Sequence, residues 1–180
     1  MKGLLILIGL FVVCLCRAQI SMEMEELIKK HEGLSLEVYM DGPCIAVGYG
    51  HHIRFTEMEE IRDLEPGMKI TEELAELLFR YDMVHLVTPG LIKVKKDIGW
   101  NYPQNVYDVM GSIIYNIGLQ GLKSSDFYQS FRNHDYEVSF TELLLLKSRD
   151  RGVRARRMKE LSILLRNYDA ERKVFNMVRH

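Results

Sequence analysis

Residues 28–52 read IKKHEGLSLEVYMDGPCIAVGYGHH, and three changes of pattern fall inside this one stretch. Up to Glu32 the spacing is helical, and Gly33 is a natural helix stop. From there Leu34, Leu36 and Val38 alternate with polar residues, which is strand periodicity. Asp41-Gly42-Pro43 is a turn signal, and Cys44 to Tyr49 is a second short apolar run. The stretch therefore predicts a helix followed by a β-hairpin. A hairpin of this size is marginal alone and must pack on helices. It also carries two acids, Glu32 at the helix end and Asp41 at the turn, and a glycine-rich segment, Gly48-Tyr49-Gly50-His51.

The helices needed to support it are legible on both sides. Ser21 is placed to cap MEMEELIKKH, with Met22, Leu27 and Ile28 as apolar positions and acids in the first turn. Phe55 to Leu64 predicts a short helix ended by Glu65-Pro66-Gly67. Thr71 caps EELAELLFRYDMVHLV, with Leu74, Leu77, Leu78, Tyr81 and Val84 as one apolar face and Pro89-Gly90 as its break. Residues 91–102 fit either a short helix or a loop. Pro103 opens the strongest core helix, where Val106, Val109, Met110, Ile113 and Ile114 recur at helical spacing and Gly118 marks the end. Further helices are expected from Ser125, through SFTELLLLK after His134-Asp135, after Gly152 through VRARRMKELSILLRNY, and over Ala170 to Val178. The sum is an α+β chain, mainly α, with one small sheet near its N-terminus.

At 180 residues, 47% hydrophobic and 27% charged, the chain is large enough for one domain with its own core. Lys2, the apolar run from Leu4 to Cys16 and the small residue Ala18 predict a secretory signal peptide over residues 1–18. The expected product is secreted and extracellular, with no stable membrane insertion after cleavage. Cys14 and Cys16 leave with the signal, so Cys44 is expected as a lone, half-buried thiol. Charge is uneven: residues 147–180 hold 11 Lys and Arg against 4 Asp and Glu. Such a basic third suits an anionic polymer, or serves as a solvated face that balances the acidic remainder. The overall acidic balance and the lack of a groove-reading motif argue against nucleic acid. No metal-ligand spacing, phosphate loop or nucleophile elbow is present, so neither metal nor cofactor is expected. A monomer is expected.

Two carboxylates on adjoining rigid elements are what acid/base hydrolysis of a glycosidic bond requires. At a helix C-terminus the exposed carbonyls disfavour an ionised Glu32, which suits a general acid. The residues alone leave another reading open, with Glu32 an exposed helical acid beside Lys29 and Lys30, and Asp41 an ordinary turn residue.

Beyond the local chemistry, E-G-L-x-L-x-x-Y-x-D followed by G-Y-G-H resembles the phage-type lysozymes, the muramidase family of phage endolysins. Collinear pieces continue the resemblance: Glu65-Pro66-Gly67 with Ile70-Thr71, Gln104-Asn105-x-Tyr107-Asp108, Asn116-Ile117-Gly118, and Gly152 with Arg156-Arg157 and Glu160. The resemblance implies a lysozyme-like two-lobed fold over residues 19–180. A small β-containing lobe would span about residues 34–70, a linking helix about 71–88, and a helical lobe about 89–180. It implies a peptidoglycan substrate, bound as glycan strands in the cleft and cut at the β-1,4 bond between N-acetylmuramic acid and N-acetylglucosamine. Glu32 is then the catalytic acid and Asp41 the second carboxylate. Gly48, Tyr49, Gly50, His51, Asn116, Arg154 and Arg156 are the expected substrate-binding residues. One position departs: Ala46 stands where the family has a threonine that works with the aspartate to hold water, and the hairpin turn is about one residue shorter. The alternative is a catalytically impaired descendant that binds cell-wall glycan or a host protein through the same cleft.

Overall fold

A computed structural model describes residues 19–53, 59–99, 101–147 and 151–166. The expected signal peptide over residues 1–18 and the helix expected over Ala170 to Val178 lie outside the described residues.

The opening helix, α1 (Met22–Glu32), starts where expected: the Ser21 hydroxyl accepts the Met24 amide, and Gly33 closes the helix. Its buried residues are Met24 and Ile28, while Met22 is 82% exposed. Ser21 also donates its amide and hydroxyl to the two oxygens of Asp108, each at 2.7 Å, tying the start of α1 to the central helix.

Strands β1 (Ser35–Asp41) and β2 (Cys44–Gly48) form the predicted hairpin, closed by Gly42-Pro43. A third strand, β3 (His51–His52), pairs antiparallel with β2, giving the order β1-β2-β3. Positive φ values at Gly48 (68°) and Gly50 (82°) make the sharp reversal between β2 and β3, a conformation side-chain-bearing residues rarely adopt. The register shifts between Ser35 and Tyr39. There the outer edge of β1 pairs with the following loop, through Val38 N to Met68 O and Ile70 N to Leu36 O.

After the short α2 (Glu59–Arg62) comes α3 (Glu72–Asp82), capped by Thr71. A π-helical turn, Met83–Val87, carries the chain straight into α4 (Thr88–Ile98). The expected break at Pro89-Gly90 does not occur. Pro89 lies in the first turn of α4, where its missing N–H removes few helical bonds. The ambiguous segment is helical to Ile98. The buried face of α3 also differs from the expected one. Ala75, Leu78 and Phe79 are buried, whereas Leu77 and Val84 face solvent. The reason is that this helix serves two cores. Ala75 and Leu78 join Val38, Val47, Ile61 and Ile70 in a small cluster under the sheet. Phe79, Met83 and Val87 join the large cluster of the helical body.

That body is built on α5 (Gln104–Lys123), whose Val106, Val109, Met110, Ile113 and Ile114 are all fully buried as their spacing predicts. Gly118, at φ 74° and ψ 165°, leaves the helical conformation where the sequence marks an end, and a second helical piece carries α5 on to Lys123. Around it pack α6 (Asp126–Arg132), α7 (Tyr136–Leu145) and α8 (Arg151–Leu164). Cys44 is a free thiol of intermediate burial. No helix among the described residues is long and apolar enough to cross a membrane.

Candidate active site

A cleft of about 510 Å³ opens between the sheet and the helical body. From the sheet side it is lined by Glu32, Tyr39, Asp41, Gly50 and His52, and from the helices by Tyr81, Asp82, His85, Leu86, Tyr115 and Asn116. Four of the expected site residues, Glu32, Asp41, Gly50 and Asn116, thus share one cavity.

Each is set in place by recognisable physics. Glu32 is the last residue of α1, and its side chain is 22% exposed. One carboxylate oxygen, Oε1, accepts from the Arg156 guanidinium, while Oε2 lies toward Gly50. Asp41 ends β1 at the rim of the cleft, and its Oδ2 lies 2.9 Å from Nε2 of His52. Tyr39 lines the same cleft, and its phenol is pushed up by burial first and then by the charges of Asp41 and Glu32.

The glycine-rich segment is held from three sides. The Tyr115 hydroxyl donates to the Tyr49 carbonyl at 2.7 Å. The Tyr49 hydroxyl donates to Glu76, which also receives Lys29 at 2.6 Å. Buried His51 bonds Asp82 through Nδ1, at 3.0 Å from each oxygen. Tyr49 and His51 therefore act behind the cleft wall and fix Gly50 beside Glu32, and Gly48 packs over Ala75. The Tyr115 phenol is raised strongly by burial, with further contributions from Asp82 and Glu32.

The largest departure from expectation concerns the basic C-terminal third. Arg156 and Arg157 are buried, as is Glu160 one turn on. Arg157 binds Glu160 Oε2 and donates to Asn116 Oδ1 at 2.6 Å. Arg156 donates to Glu160 Oε1 at 3.2 Å, to the Ser112 carbonyl and hydroxyl, and to Glu32. Ser112 donates to Glu160 at 2.5 Å. Two guanidiniums thus meet two carboxylates, with Ser112 and Asn116 using the remaining valences. Arg156 sits beneath the cleft and orients Glu32, and it does not line the cavity. Arg154 is exposed on the first turn of α8 and does not line it either. The spacing Arg156-Arg157-x-x-Glu160 is the signal for this network, since i,i+3 and i,i+4 pairs meet on one helix face.

On the opposite wall sequence reasoning singled out Asn116 but not Tyr81 or His85 as site residues. Tyr81 and His85 stack with ring centroids 4.1 Å apart, at the junction of α3 and the π turn. A π turn beside a cavity is a common mark of a functional site. His52 was also passed over as a partner of Asp41, because only the third strand brings the two together.

A cleft lined by an oriented acid and a rim carboxylate, between a small β-sheet and a helical body, defines a lysozyme-like fold. The family model for phage lysozyme matches residues 29–160, and the chain belongs to that family. The endolysin of Bacillus phage B103 is 32% identical over 121 residues, covering 66% of this chain and 41% of that protein. The endolysin of Acyrthosiphon pisum secondary endosymbiont phage 1 is 30% identical over 122 residues, covering 66% and 73%. The match therefore spans less than half of the Bacillus phage protein. Among solved structures, P22 lysozyme superposes with a TM-score of 0.63 at 26% identity, covering 82% of this chain and 98% of that one. The endolysin of Escherichia coli O157:H7 phage FAHEc1 does so at 0.63 and 29%, covering 82% and 93%.

Proposed function

We propose that the protein is a secreted peptidoglycan hydrolase of the N-acetylmuramidase type. The observation that carries this reading is that Glu32 and Asp41 open onto one cleft in a chain of the phage lysozyme family. Peptidoglycan glycan strands would lie along the cavity, with the β-1,4 bond from N-acetylmuramic acid to N-acetylglucosamine between the acids. Glu32 protonates the bridging oxygen as the bond to the anomeric carbon breaks. Asp41 takes a proton from a water that attacks that carbon from the opposite face, which inverts its configuration. Arg156 holds Oε1 of Glu32, so the donating oxygen is Oε2. The stacked Tyr81 and His85 offer a flat surface for a sugar ring.

The test is release of reducing ends from purified peptidoglycan by the exported protein, with its N-terminus sequenced. Release that is lost in Glu32→Gln supports the reading, and a preparation in which neither protein releases ends overturns it. Ala46 favours a second reading, because this fully buried residue brings no hydroxyl to the face beside Asp41. On that reading the cleft binds glycan without cutting it. Retention on insoluble peptidoglycan with no reducing ends formed would distinguish it.

A further inference from the structure

Asp41 is the less constrained of the two acids. It ends β1 at the hairpin turn, and its side chain is 59% exposed. A carboxylate so placed has several rotamers available, and attack on a fixed sugar needs one of them. The partner the structure gives it is His52, 2.9 Å away through Nε2. An ionised carboxylate offers only acceptors, so the imidazole N–H donates.

The sheet brings this pair together. His52 is the register partner of Ala46, and Ala46 is the partner of Tyr39. Directly paired residues share a face, and Asp41 lies two residues beyond Tyr39, so all four look toward the cleft. The order β1-β2-β3 places Asp41 and His52 on strands that flank β2. Their backbones are thus two strand spacings apart, roughly 10 Å. Two side chains close that span only over something small. On β2 that face carries Cys44, the register partner of Asp41, and Ala46, the partner of His52, and the imidazole passes over Ala46, a single methyl with no exposed surface.

We propose that His52 is a positioning residue that reaches across Ala46 to hold the Asp41 carboxylate over the cleft. The small residue at 46 and the histidine at 52 are then one device: the alanine opens the space that the imidazole crosses. This rests on the hydrolase reading given above.

The experiment measures kcat and KM on soluble peptidoglycan fragments for the wild type, His52→Ala, His52→Gln, Ala46→Val and Glu32→Gln, and for His52→Ala in an Asp41→Asn background. His52→Ala is expected to lower kcat about 10-fold with KM within about twofold, since the lost bond orients a charged group and does not bind substrate. His52→Gln, whose amide can still donate, is expected to recover most of the loss. Ala46→Val, which fills the crossing, is expected to mimic His52→Ala, and His52→Ala is expected to cost nothing further once Asp41 is Asn. An unchanged kcat in His52→Ala, or a loss carried by KM alone, overturns the proposal while an active wild type and a dead Glu32→Gln leave the hydrolase reading standing. Inactivity of the wild type itself overturns both.

Discussion

Replacing Glu160 by glutamine tests the account of the buried network most directly. Glu160 has no exposed surface and receives Arg156, Arg157 and the Ser112 hydroxyl. Glutamine keeps its size and one acceptor oxygen but removes the charge. The network then holds two guanidiniums, 4% and 0% exposed, against the single remaining carboxylate of Glu32. Leaving a buried charge without its partner costs about 3–5 kcal/mol. Total stability for a domain is of order 5–15 kcal/mol, so this is a large share of it. At roughly 2–4 °C per kcal/mol for a chain of this size, Tm should fall by about 6–20 °C. Urea unfolding followed by far-UV circular dichroism would show the midpoint falling with the slope unchanged. Removing one of the uncompensated cations as well, in Glu160→Gln with Arg157→Met, should recover part of the loss. A Glu160→Gln protein within about 1 kcal/mol of the wild type would refute the reasoning, because it would mean the two arginines are not held by this carboxylate.

Glu32→Gln and Asp41→Asn should separate. Glu32→Gln abolishes reducing-end release and Asp41→Asn cuts it to a small residual rate, but only Glu32→Gln also lowers stability, by about 1–2 kcal/mol in urea unfolding, because it takes a charged acceptor from Arg156. Glu76 gives a pH test: the Lys29 ammonium bonded to it holds its carboxyl below the usual carboxylate range. A carboxyl depressed in the folded state contributes stability above its unfolded pKa, about 4.3, and that contribution is lost as pH falls through the folded value. Tm measured at pH 7 and pH 3 should therefore drop less in Glu76→Gln than in the wild type, with the two differing at pH 7 by only about 1–3 °C for so exposed a pair. Gly118→Ala should cost about 1–3 kcal/mol, read by the same unfolding assay, since the added methyl meets nothing within 4 Å and the strain comes from a backbone, φ 74° and ψ 165°, that essentially only glycine adopts.

What was legible in the sequence was what short-range physics decides. The caps at Ser21, Thr71 and Ser125, the Gly42-Pro43 turn and the five buried positions of α5 each follow from residues within a turn or two. The family resemblance then placed Glu32 and Asp41 on neighbouring elements, and the structure puts both on one cleft. Features set by distant partners were not legible. The two residues of β3 have no strand signal of their own and exist because Ala46 and Val47 offer them a ladder. Pro89 reads as a breaker until the π turn places it in the first turn of α4. Arg156 and Arg157 read as part of a basic third, with Arg156 as a substrate contact, and they turn inward because Glu32 and Asn116 arrive from 124 and 41 residues away in the chain. Those separations lie outside any window over which charge patterning is read.

The pairing of Arg156 with Glu32 has a consequence for descent. A glutamate that also neutralises a buried cation is preserved for the sake of folding, whether or not bonds are being cut. A lineage that abandoned hydrolysis would keep Glu32 and drift elsewhere. Asp41 carries no such obligation: it is exposed at the rim, and its hydrogen bond goes to a histidine that is itself partly exposed. Among relatives of this chain, the aspartate is therefore the residue whose loss would date the end of catalysis, and the glutamate the one that would outlive it.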